Sequence, residues 1–500
     1  MKIIIFILLL FVFINANAQI ECVKKTAIAE SEGYFSDYLY EFGENGVIFY
    51  SEKDQKVDDN KEYDFVFFDK DLKLVKTEKA LIYKKLRKEI SVKSETHLHT
   101  LFLDKDGNFT IVNASIKETI LKNVSGVIDP KAKLRDAVVL GENIYIKSII
   151  KEAPFIIKIN WKTGKNSLIP IVIENQKPNE ISIINIQAIE KSNEVFVFVR
   201  VPLNDNEVNT FAIKIDEKVL NIKYNFKNFT KNNISAISIT NIGPDEYIFS
   251  GTYSKNNPII GIRSDRPPRK TGVVSEGIFF AKGKNNKIEF IKFYNFTDLK
   301  DFFNHLTSKR KEKIETRKEK GKEINNRFFV ESHNLIPTNK NEFIYLGEIF
   351  YPIFKEIIRS NNEIDYDLNG YQYAHSVIAK LNNQGDLIWD KNFSMWAIDK
   401  PQEIVKLIQT PEINDNNIKL IFLNSSSLIL KGFNVDGSLL YDETDASSQL
   451  KNEDSKIEFS TNQKIYYWYK DYYLLYGYDR YNKKENKGKE MVSFIKKIKY

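Results

Sequence analysis

The chain has 500 residues, of which 42% are hydrophobic and 28% charged, a balance typical of a globular protein and not of a disordered or multi-span membrane protein. Lys and Arg number 74 against 67 Asp and Glu, and the formal net charge of +7 is too small to indicate a nucleic-acid partner. Five His and one Cys leave little material for a zinc site, and the single Cys22 excludes an intrachain disulfide.

The N-terminus has the three parts of a secretory signal. Lys2 supplies the positive charge, residues 3–14 form an unbroken apolar run, and Ala16 and Ala18 are the small residues of a cleavage site. The apolar run is shorter than the roughly 20 residues that span a bilayer, although an uncleaved anchor is the alternative. The sequence therefore predicts a signal peptide over residues 1–18, cleaved after Ala18, and a mature chain exported to the periplasm, the cell envelope or the medium.

The mature chain reads as a series of β-hairpins. Residues 101–112 pass from Leu-Phe-Leu through Asp-Lys-Asp-Gly into a second apolar stretch, a strand, tight turn and strand. Asp-Gly pairs suit such turns because Gly tolerates the positive φ values that they require. The same arrangement recurs at residues 65–75, 156–164, 211–218, 377–385 and 428–437.

The predicted strands fall into groups of four, which is the sequence mark of β-propeller blades. The clearest groups cover residues 181–226, 234–294, 328–393 and 404–441. The last unit, residues 457–498, has three clear strands, and we expect residues 23–29 to supply the fourth and close the ring.

The predicted fold is therefore all-β, a β-propeller of seven or eight four-stranded blades in one domain over residues 19–500. Tandem β-sandwich domains are the alternative, which the lack of a Pro/Gly/Ser-rich linker disfavours.

One stretch, residues 298–323, breaks the β pattern. It carries four apolar side chains at helical spacing: Leu299, Phe302, Phe303 and Leu306. Asp298 and Asp301 suit a helix N-terminus, and residues 308–323 contain eight Lys or Arg and four Glu. The sequence predicts one helical insertion between two blades, docked by its first turns and charged thereafter.

The basic residues of this insertion are candidate partner contacts: Lys309, Arg310, Lys311 and Lys313. Such a cluster attracts acidic partners or polyanions. The alternative is a solvated helix face on which the Glu residues partly compensate the positive charge.

A second candidate site is a calcium loop at Asp365, Asp367 and Asn369, followed by Gly370. Oxygen ligands at alternate positions before a Gly begin a calcium-binding loop, but Ser376 stands where the closing bidentate Glu belongs. The pattern predicts a low-affinity site at most, with an ordinary inter-strand loop as the alternative. No other cofactor is expected.

The motifs of common enzyme classes are absent, including the Gly-x-Ser-x-Gly elbow, both Gly-rich phosphate loops and His-Glu-x-x-His. His97 and His99 point to the same face of a predicted strand, yet a metal site would need a third ligand, which the sequence does not identify. Carboxylates are plentiful, but a glycosidase needs two of them at a defined separation in space, which one sequence does not reveal.

Two neighbouring segments of the sequence resemble a pattern found in a group of known proteins. Residues 370–375 read Gly-Tyr-Gln-Tyr-Ala-His and residues 385–390 read Gly-Asp-Leu-Ile-Trp-Asp. Together they resemble the phrase Gly-x-x-Tyr-x-His … Gly-x-Leu-x-Trp-Asp of uncharacterised exported bacterial proteins that look propeller-like. The resemblance covers about residues 275–400 and implies a propeller-like fold. Because those proteins have no assigned activity, it implies no catalytic residue.

We expect an exported, non-catalytic binding or scaffolding protein, because propeller faces assemble loops from many blades and no catalytic constellation is visible. One alternative is a carbohydrate-active hydrolase with a carboxylate pair in the propeller pocket; another is an envelope-associated structural protein docked through the insertion. The expected partner is a protein or a glycan, not nucleic acid. We expect a monomer without a transmembrane segment after signal cleavage.

Overall fold

The chain is almost entirely β structure where its conformation is described. The computed structural model describes residues 20–31, 37–216, 219–256, 258–260, 272–322, 327–338, 340–358, 364–396, 401, 403–410, 417–424, 427–443, 457–482 and 489–500. The strands form eight main antiparallel sheets, which we call blades 1 to 8.

The first four blades each contain four strands that are consecutive in the chain. Blade 1 comprises β2 (Asp37–Glu41), β3 (Val47–Val57), β4 (Asn60–Phe68) and β5 (Leu74–Tyr83). Blade 2 comprises β6 (Arg87–Lys93), β7 (His97–Leu103), β8 (Asn108–Ser115) and β9 (Ile120–Val127). Blade 3 comprises β10 (Lys133–Leu140), β11 (Asn143–Ile150), β12 (Ala153–Asn160) and β13 (Asn166–Pro170). Blade 4 comprises β14 (Ser182–Ile189), β15 (Glu194–Asn204), β16 (Glu207–Asp216) and β17 (Val219–Asn225).

The last four blades carry the irregularities of the fold. Blade 5 comprises β18 (Asn233–Gly243), β19 (Glu246–Ser254), β22 (Gly277–Lys284) and β23 (Lys287–Asn295), with the short pair β20 (Ile259–Ile260) and β21 (Gly272–Val273) between its second and third strands. Blade 6 comprises β24 (Phe329–Ser332), β25 (Ile336–Pro337), β26 (Phe343–Ile358), β27 (Ile364–Leu381) and β28 (Leu387–Ser394). Blade 7 comprises β29 (Asn417–Asn424), β30 (Ser427–Asn434) and β31 (Leu439–Glu443). Blade 8 comprises β32 (Ile457–Tyr469), β33 (Tyr472–Asn482), β34 (Lys489–Lys499) and the N-terminal β1 (Glu21–Ser31).

Helical structure is sparse among the described residues. The one α-helix there is α1 (Ser308–Glu319). Single 3-10 turns lie at Gly43–Asn45, Pro178–Glu180, Glu190–Ser192, Phe226–Asn228 and Phe296–Asp298. No helix in this part of the chain is long and apolar enough to cross a membrane.

The core is divided among hydrophobic clusters that each lie between two adjacent blades. One cluster joins blades 3 and 4, and others join each successive pair around the ring. Trp468 and Leu474 of blade 8 pack with Val47 and Phe49 of blade 1 in the cluster that closes the circle. Because every blade buries both faces against its neighbours, the fold is an eight-bladed β-propeller. The predicted propeller is confirmed with eight blades, and tandem sandwiches are excluded.

The ring is closed by the N-terminal strand, as predicted. β1 pairs antiparallel with β34, from Glu21 opposite Lys499 to Ser31 opposite Met491. The pairing leaves β34 with a partner on both sides. It therefore covers an edge that would otherwise invite intermolecular pairing.

Blade 7 departs from the predicted four strands. Residues 404–409 were expected to form its first strand, but Gln409 makes only an isolated bridge with Ile421. Side chains of blade 6 hold this segment instead: Glu348 accepts the N–H groups of Leu407 and Ile408, each at 3.0 Å. The Glu348 carboxylate therefore accepts two backbone N–H groups that would otherwise bond to a neighbouring strand.

The insertion between blades 5 and 6 also differs from its predicted form. The helix begins at Ser308, not near Asp298, and residues 299–306 form turns. Asp298 ends a 3-10 turn, and Asp301 accepts hydrogen bonds from Asn304 and Lys391 at 2.8 and 2.7 Å. The helical spacing of the apolar residues at 299–306 predicts one helix face. Contacts with blade 6 instead fix these residues in an irregular turn.

The two ends of the propeller have different connections. Because the strands of each blade are antiparallel, the turns between first and second and between third and fourth strands lie at one end. The remaining turns and the blade-to-blade connections lie at the other end. The latter includes the connection 296–328, with α1, and the far end of the long β26–β27 hairpin. We call it the insertion face.

Candidate functional site

Asp390 of β28 anchors the inserted segment to blade 6. This side chain is 5% exposed, and its two carboxylate oxygens accept the N–H groups of Lys300 and Asp301 at 2.9 and 2.8 Å. Burial raises the pKa of Asp390, although the two amides act in the opposite direction. Phe302 follows this anchor and is fully buried, which confirms the predicted docking of the first part of the insertion.

A pair of stacked histidines lies beside this anchor. The rings of His305, from the insertion, and His375, on β27, have centroids 3.7 Å apart, with Phe302 edge-on to both. His375 is 1% exposed, and neither ring nitrogen has a hydrogen-bond partner among the described residues. Burial lowers the pKa of His375 to about 3, and nearby His305 acts in the same direction. His375 is therefore neutral at physiological pH, and burial also lowers the pKa of His305.

A cleft of about 500 Å³ opens between blades 6 and 7, next to the histidine pair. We call it the interblade cleft. Its polar lining includes His305, Asn392, Ser394, Asn424, Lys431 and Asp442, and its apolar lining includes Phe393 and Phe422. The cleft therefore combines a few polar groups with apolar walls, as small-ligand sites do.

The polar side chains of the cleft differ in whether they have hydrogen-bond or ion-pair partners among the described residues. Lys431 is 6% exposed and forms an ion pair with Asp442. Asn392 Oδ1 lies 3.1 Å from His305 Nδ1, whereas its Nδ2 is buried without a partner in the described part of the chain. An unpaired buried donor costs about 1–3 kcal/mol. A ligand oxygen that reached this amide would remove that cost.

Trp396 stands at the edge of the cleft in an unusual conformation. Its φ is 34°, and its side chain is 60% exposed. Positive φ is uncommon for bulky residues and often marks functional sites. The Trp396 carbonyl accepts a hydrogen bond from the cleft residue Asn424 at 3.3 Å, and its N–H donates to Ala374 at 3.2 Å. These contacts fix the main chain of Trp396 next to the cleft residues Met395 and Asn424, and its side chain is exposed.

The four predicted partner-binding residues all lie on α1. Lys309, Arg310 and Lys313 are exposed, whereas Lys311 is partly covered and donates to Asn304 Oδ1 at 3.0 Å. No residue of α1 is buried. The sequence placed these charges on a helix correctly, and their role as partner contacts stays a prediction.

The predicted calcium residues occupy a strand and not a loop. Asp367 and Asn369 are exposed positions of β27, where Asp367 lies opposite Lys355 of β26. The side chain of Asp365 lies outside the described residues. An extended strand does not wrap a cation as a calcium loop does, so the loop interpretation is wrong, while calcium binding itself stays a prediction.

His97 and His99 lie on one face of β7, as predicted, with ring centroids 5.8 Å apart. Trp161 lies 4.9 Å from each ring, and His99 Nδ1 is 2.7 Å from Asn113 Oδ1. Burial lowers the pKa of His99 to about 4. Among the described residues, no group of three or more His, Cys, Asp or Glu side chains is arranged to hold a metal ion.

One carboxylate pair does lie on neighbouring inner strands. Glu331 of β24 and Glu348 of β26 are direct cross-strand partners. Glu348 is fully buried and, besides the two backbone amides, accepts from His333 Nε2 at 2.6 Å. Its hydrogen-bonding capacity is used for structure. Burial raises the pKa of Glu331, whose nearest charged partner is Lys406 at 3.9 Å.

The segments that carry the resemblance, residues 370–375 and 385–390, make contacts near the cleft but do not line it. Trp389 donates its indole N–H to the Val435 carbonyl of blade 7 at 2.9 Å, while Asp390 and His375 hold the insertion. Sequence reasoning missed the cleft because its walls come from three separate parts of the chain. The sequence feature that could have drawn attention to this region is the close spacing of Trp389, Asp390 and Trp396.

Comparison with known proteins reveals likeness of fold alone. No family model and no curated protein matches the chain. Solved structures with a similar arrangement include the WD40 domain of SCAP from fission yeast, with 10% identity and a TM-score of 0.41 over 96% of this chain and 98% of that chain. The β-propeller domain of Nup133 from Vanderwaltozyma polyspora has 10% identity and a TM-score of 0.36 over 82% and 100%. A Dyadobacter fermentans protein of unknown function has 9% identity and a TM-score of 0.33 over 96% and 99%.

Proposed function

We propose that the protein is an exported, non-catalytic binding or scaffolding protein that takes a glycan into the interblade cleft. The observation that carries the proposal is an exposed Trp396 whose main-chain carbonyl accepts a hydrogen bond from the cleft residue Asn424. Sugars present apolar ring faces to aromatic side chains, and their hydroxyl groups hydrogen-bond with Asn, Asp and Lys. Export rests on the signal pattern of residues 1–18, which lie outside the described residues.

The test is a binding screen of the mature chain, residues 19–500, against immobilised polysaccharides and envelope extract, with product analysis of every binder. Trp396→Ala and Lys431→Met should each weaken binding of the identified glycan roughly tenfold, since each removes a contact worth about 1–2 kcal/mol. Phe229→Ala removes an aromatic ring that is 42% exposed and outside the cleft, and this control should bind like the wild type. Equal binding by all variants would place the ligand elsewhere.

A carbohydrate-active hydrolase is the second candidate function, and the raised pKa of Glu331 favours it. A carboxyl group with a raised pKa holds its proton to a higher pH than an exposed one and is a better candidate for a general acid. Product analysis in the same screen would then reveal shortened glycans, and Glu331→Gln would abolish them while leaving binding intact. Recovery of intact glycans from the wild type would exclude this candidate for the ligands tested.

A further inference from the structure

The β26–β27 hairpin extends beyond blade 6 as a two-stranded arm. β24 pairs with β26 only up to Phe350, and β28 pairs with β27 only from His375 onwards. Residues 351–358 and 364–372 therefore have only each other as partners within the described sheet. Eight residues of extended strand span about 25 Å, so the arm reaches well past the blade.

One face of this arm, which we call its apolar face, is mainly apolar and carries a single charged side chain, Glu356 opposite Tyr366. Phe354 lies opposite Leu368, and Ile358 lies opposite Ile364. Cross-strand partners, and residues four apart along a strand, share a face, so these four side chains lie together. Ile358 is 73% exposed, Ile364 59% and Leu368 40%. The opposite face carries the charged pair Lys355 and Asp367.

A basic helix emerges at the same end of the molecule. Both α1 and the arm belong to the insertion face, since one precedes β24 and the other joins β26 to β27. α1 carries six Lys or Arg against three Glu, and Lys320 and Lys322 follow it. The helix buries none of its residues. Lys309, Arg310 and Lys313 are exposed and can contact an anionic surface.

We propose that the insertion face docks onto an anionic lipid surface, with the apolar face of the arm entering the headgroup region and the basic side chains of α1 contacting lipid phosphates. Aliphatic side chains combined with nearby basic residues are the two features that hold peripheral proteins on anionic membranes. A soluble polyanion would engage the helix alone and would leave the exposed Ile358, Ile364 and Leu368 unexplained.

The test measures sedimentation of residues 19–500 with phosphatidylcholine vesicles that contain or lack phosphatidylglycerol, at low and high salt. The wild type should bind the anionic vesicles at least tenfold better than the neutral ones, and high salt should weaken that binding. Equal binding to both vesicle types, or binding to neither, would overturn the proposal.

Two sets of variants separate the apolar and basic contributions. The double variant Ile358→Ser/Ile364→Ser should reduce partitioning at least tenfold, and so should a second variant with Gln at four positions of α1: Lys309, Arg310, Lys311 and Lys313. If only the charge variant loses binding, the surface binds polyanions without insertion and the lipid proposal is wrong. Circular dichroism melting should match the wild type for both variants, because all six positions lie outside the core clusters.

Matched controls change the opposite end of the propeller. Leu74→Ser removes a side chain that is 61% exposed next to the β4–β5 turn. The charge control substitutes Gln at four exposed lysines on turns of that end: Lys73, Lys117, Lys165 and Lys191. Both controls should bind vesicles like the wild type. Loss of binding in the charge control would mean that net charge, not the insertion face, determines the interaction, and would overturn the proposal.

Discussion

At the scale of single residues, the Asp390 carboxylate accepts backbone N–H groups that strand pairing satisfies elsewhere in the propeller. The inserted segment after Phe296 has no strand to pair with, and its amides at Lys300 and Asp301 are satisfied by one carboxylate. Hydrogen bonds to a charged acceptor are stronger than neutral ones. One side chain on the last strand of blade 6 therefore fixes where the insertion begins.

We expect Asp390→Ala to lower the free energy of unfolding by roughly 3 kcal/mol, because two partly buried N–H groups lose their acceptor. Trypsin should also cleave the Lys- and Arg-rich α1 faster in this variant. Urea denaturation and timed proteolysis measure the two effects. Asp106→Ala, at an exposed turn position, should change neither; wild-type stability in Asp390→Ala would contradict the anchoring role.

His375 predicts a pH dependence of stability. The unfolded residue takes up a proton below about pH 6.5, whereas burial and the neighbouring His305 keep the folded residue neutral until about pH 3. The unfolded state therefore binds more protons in this window, and stability is lost as the pH falls from 6.5 towards 3. Burial lowers the pKa of His305 as well, and Lys311 acts in the same direction, so both rings contribute to this loss of stability.

Replacement by an uncharged ring should remove the contribution of His375. Between pH 7 and pH 5 the wild type should lose about 2 kcal/mol more stability than His375→Phe, and Phe preserves the aromatic contacts with Phe302 and His305. Chemical denaturation at a series of pH values measures the difference. Parallel slopes for the two proteins would show that His375 is not kept neutral by the fold.

At the scale of elements, residues 404–409 have the pattern of a strand but do not form one. The apolar spacing is that of a first blade strand, but Tyr373 Oη accepts the Val405 N–H at 2.9 Å. Glu348 accepts the N–H groups of Leu407 and Ile408. These side chains reach across from blade 6 and compete with the β29 ladder. Sequence periodicity cannot reveal such a competition, because it comes from residues about 60 positions away.

Removal of the carboxylate should therefore destabilise the boundary between blades 6 and 7. We expect Glu348→Ala to cost roughly 3 kcal/mol or more and Glu348→Gln less, since the amide keeps one acceptor oxygen. Hydrogen exchange should become faster at Leu407 and Ile408 in both variants. Glu174→Gln, an exposed control, should exchange like the wild type, and unchanged protection in Glu348→Ala would refute the assigned role.

The sequence predicted some features of the insertion between blades 5 and 6 correctly and others not. Its position, its docking side chains and its basic helix follow from the break in β alternation and from the charge pattern. The helix start at Ser308 does not, because the preceding aromatic residues obey helical spacing while contacts with His375 and Asp390 hold them in turns.

At the scale of the whole molecule, closure of the ring depends on the two ends of the chain. β1 comes from the N-terminus and completes a blade whose other strands are the last three of the chain. This contact joins residues more than 450 positions apart. Such long loop closure is entropically costly and forms late in folding.

A chain that begins at residue 37 should therefore be less stable and more prone to associate. Its β34 would expose an unpaired edge, so we expect a melting temperature at least about 5 °C lower and larger species in size-exclusion chromatography. A chain that begins at residue 19 is the control and should remain a single species. An unchanged melting temperature in the shorter chain would contradict closure by β1.

The sequence alone determined the class of fold and the main blade boundaries, because hydrophobic alternation and turn residues act over a few neighbouring positions. It also placed the basic residues 309–313 on a helix and His97 and His99 on one strand, whereas the calcium pattern, expected in a loop, lies on a strand. The tertiary structure decided that there are eight blades, that side chains hold residues 404–409, and that His305, Asn424 and Lys431 line one cleft. Those outcomes depend on contacts between blades, which no local pattern encodes.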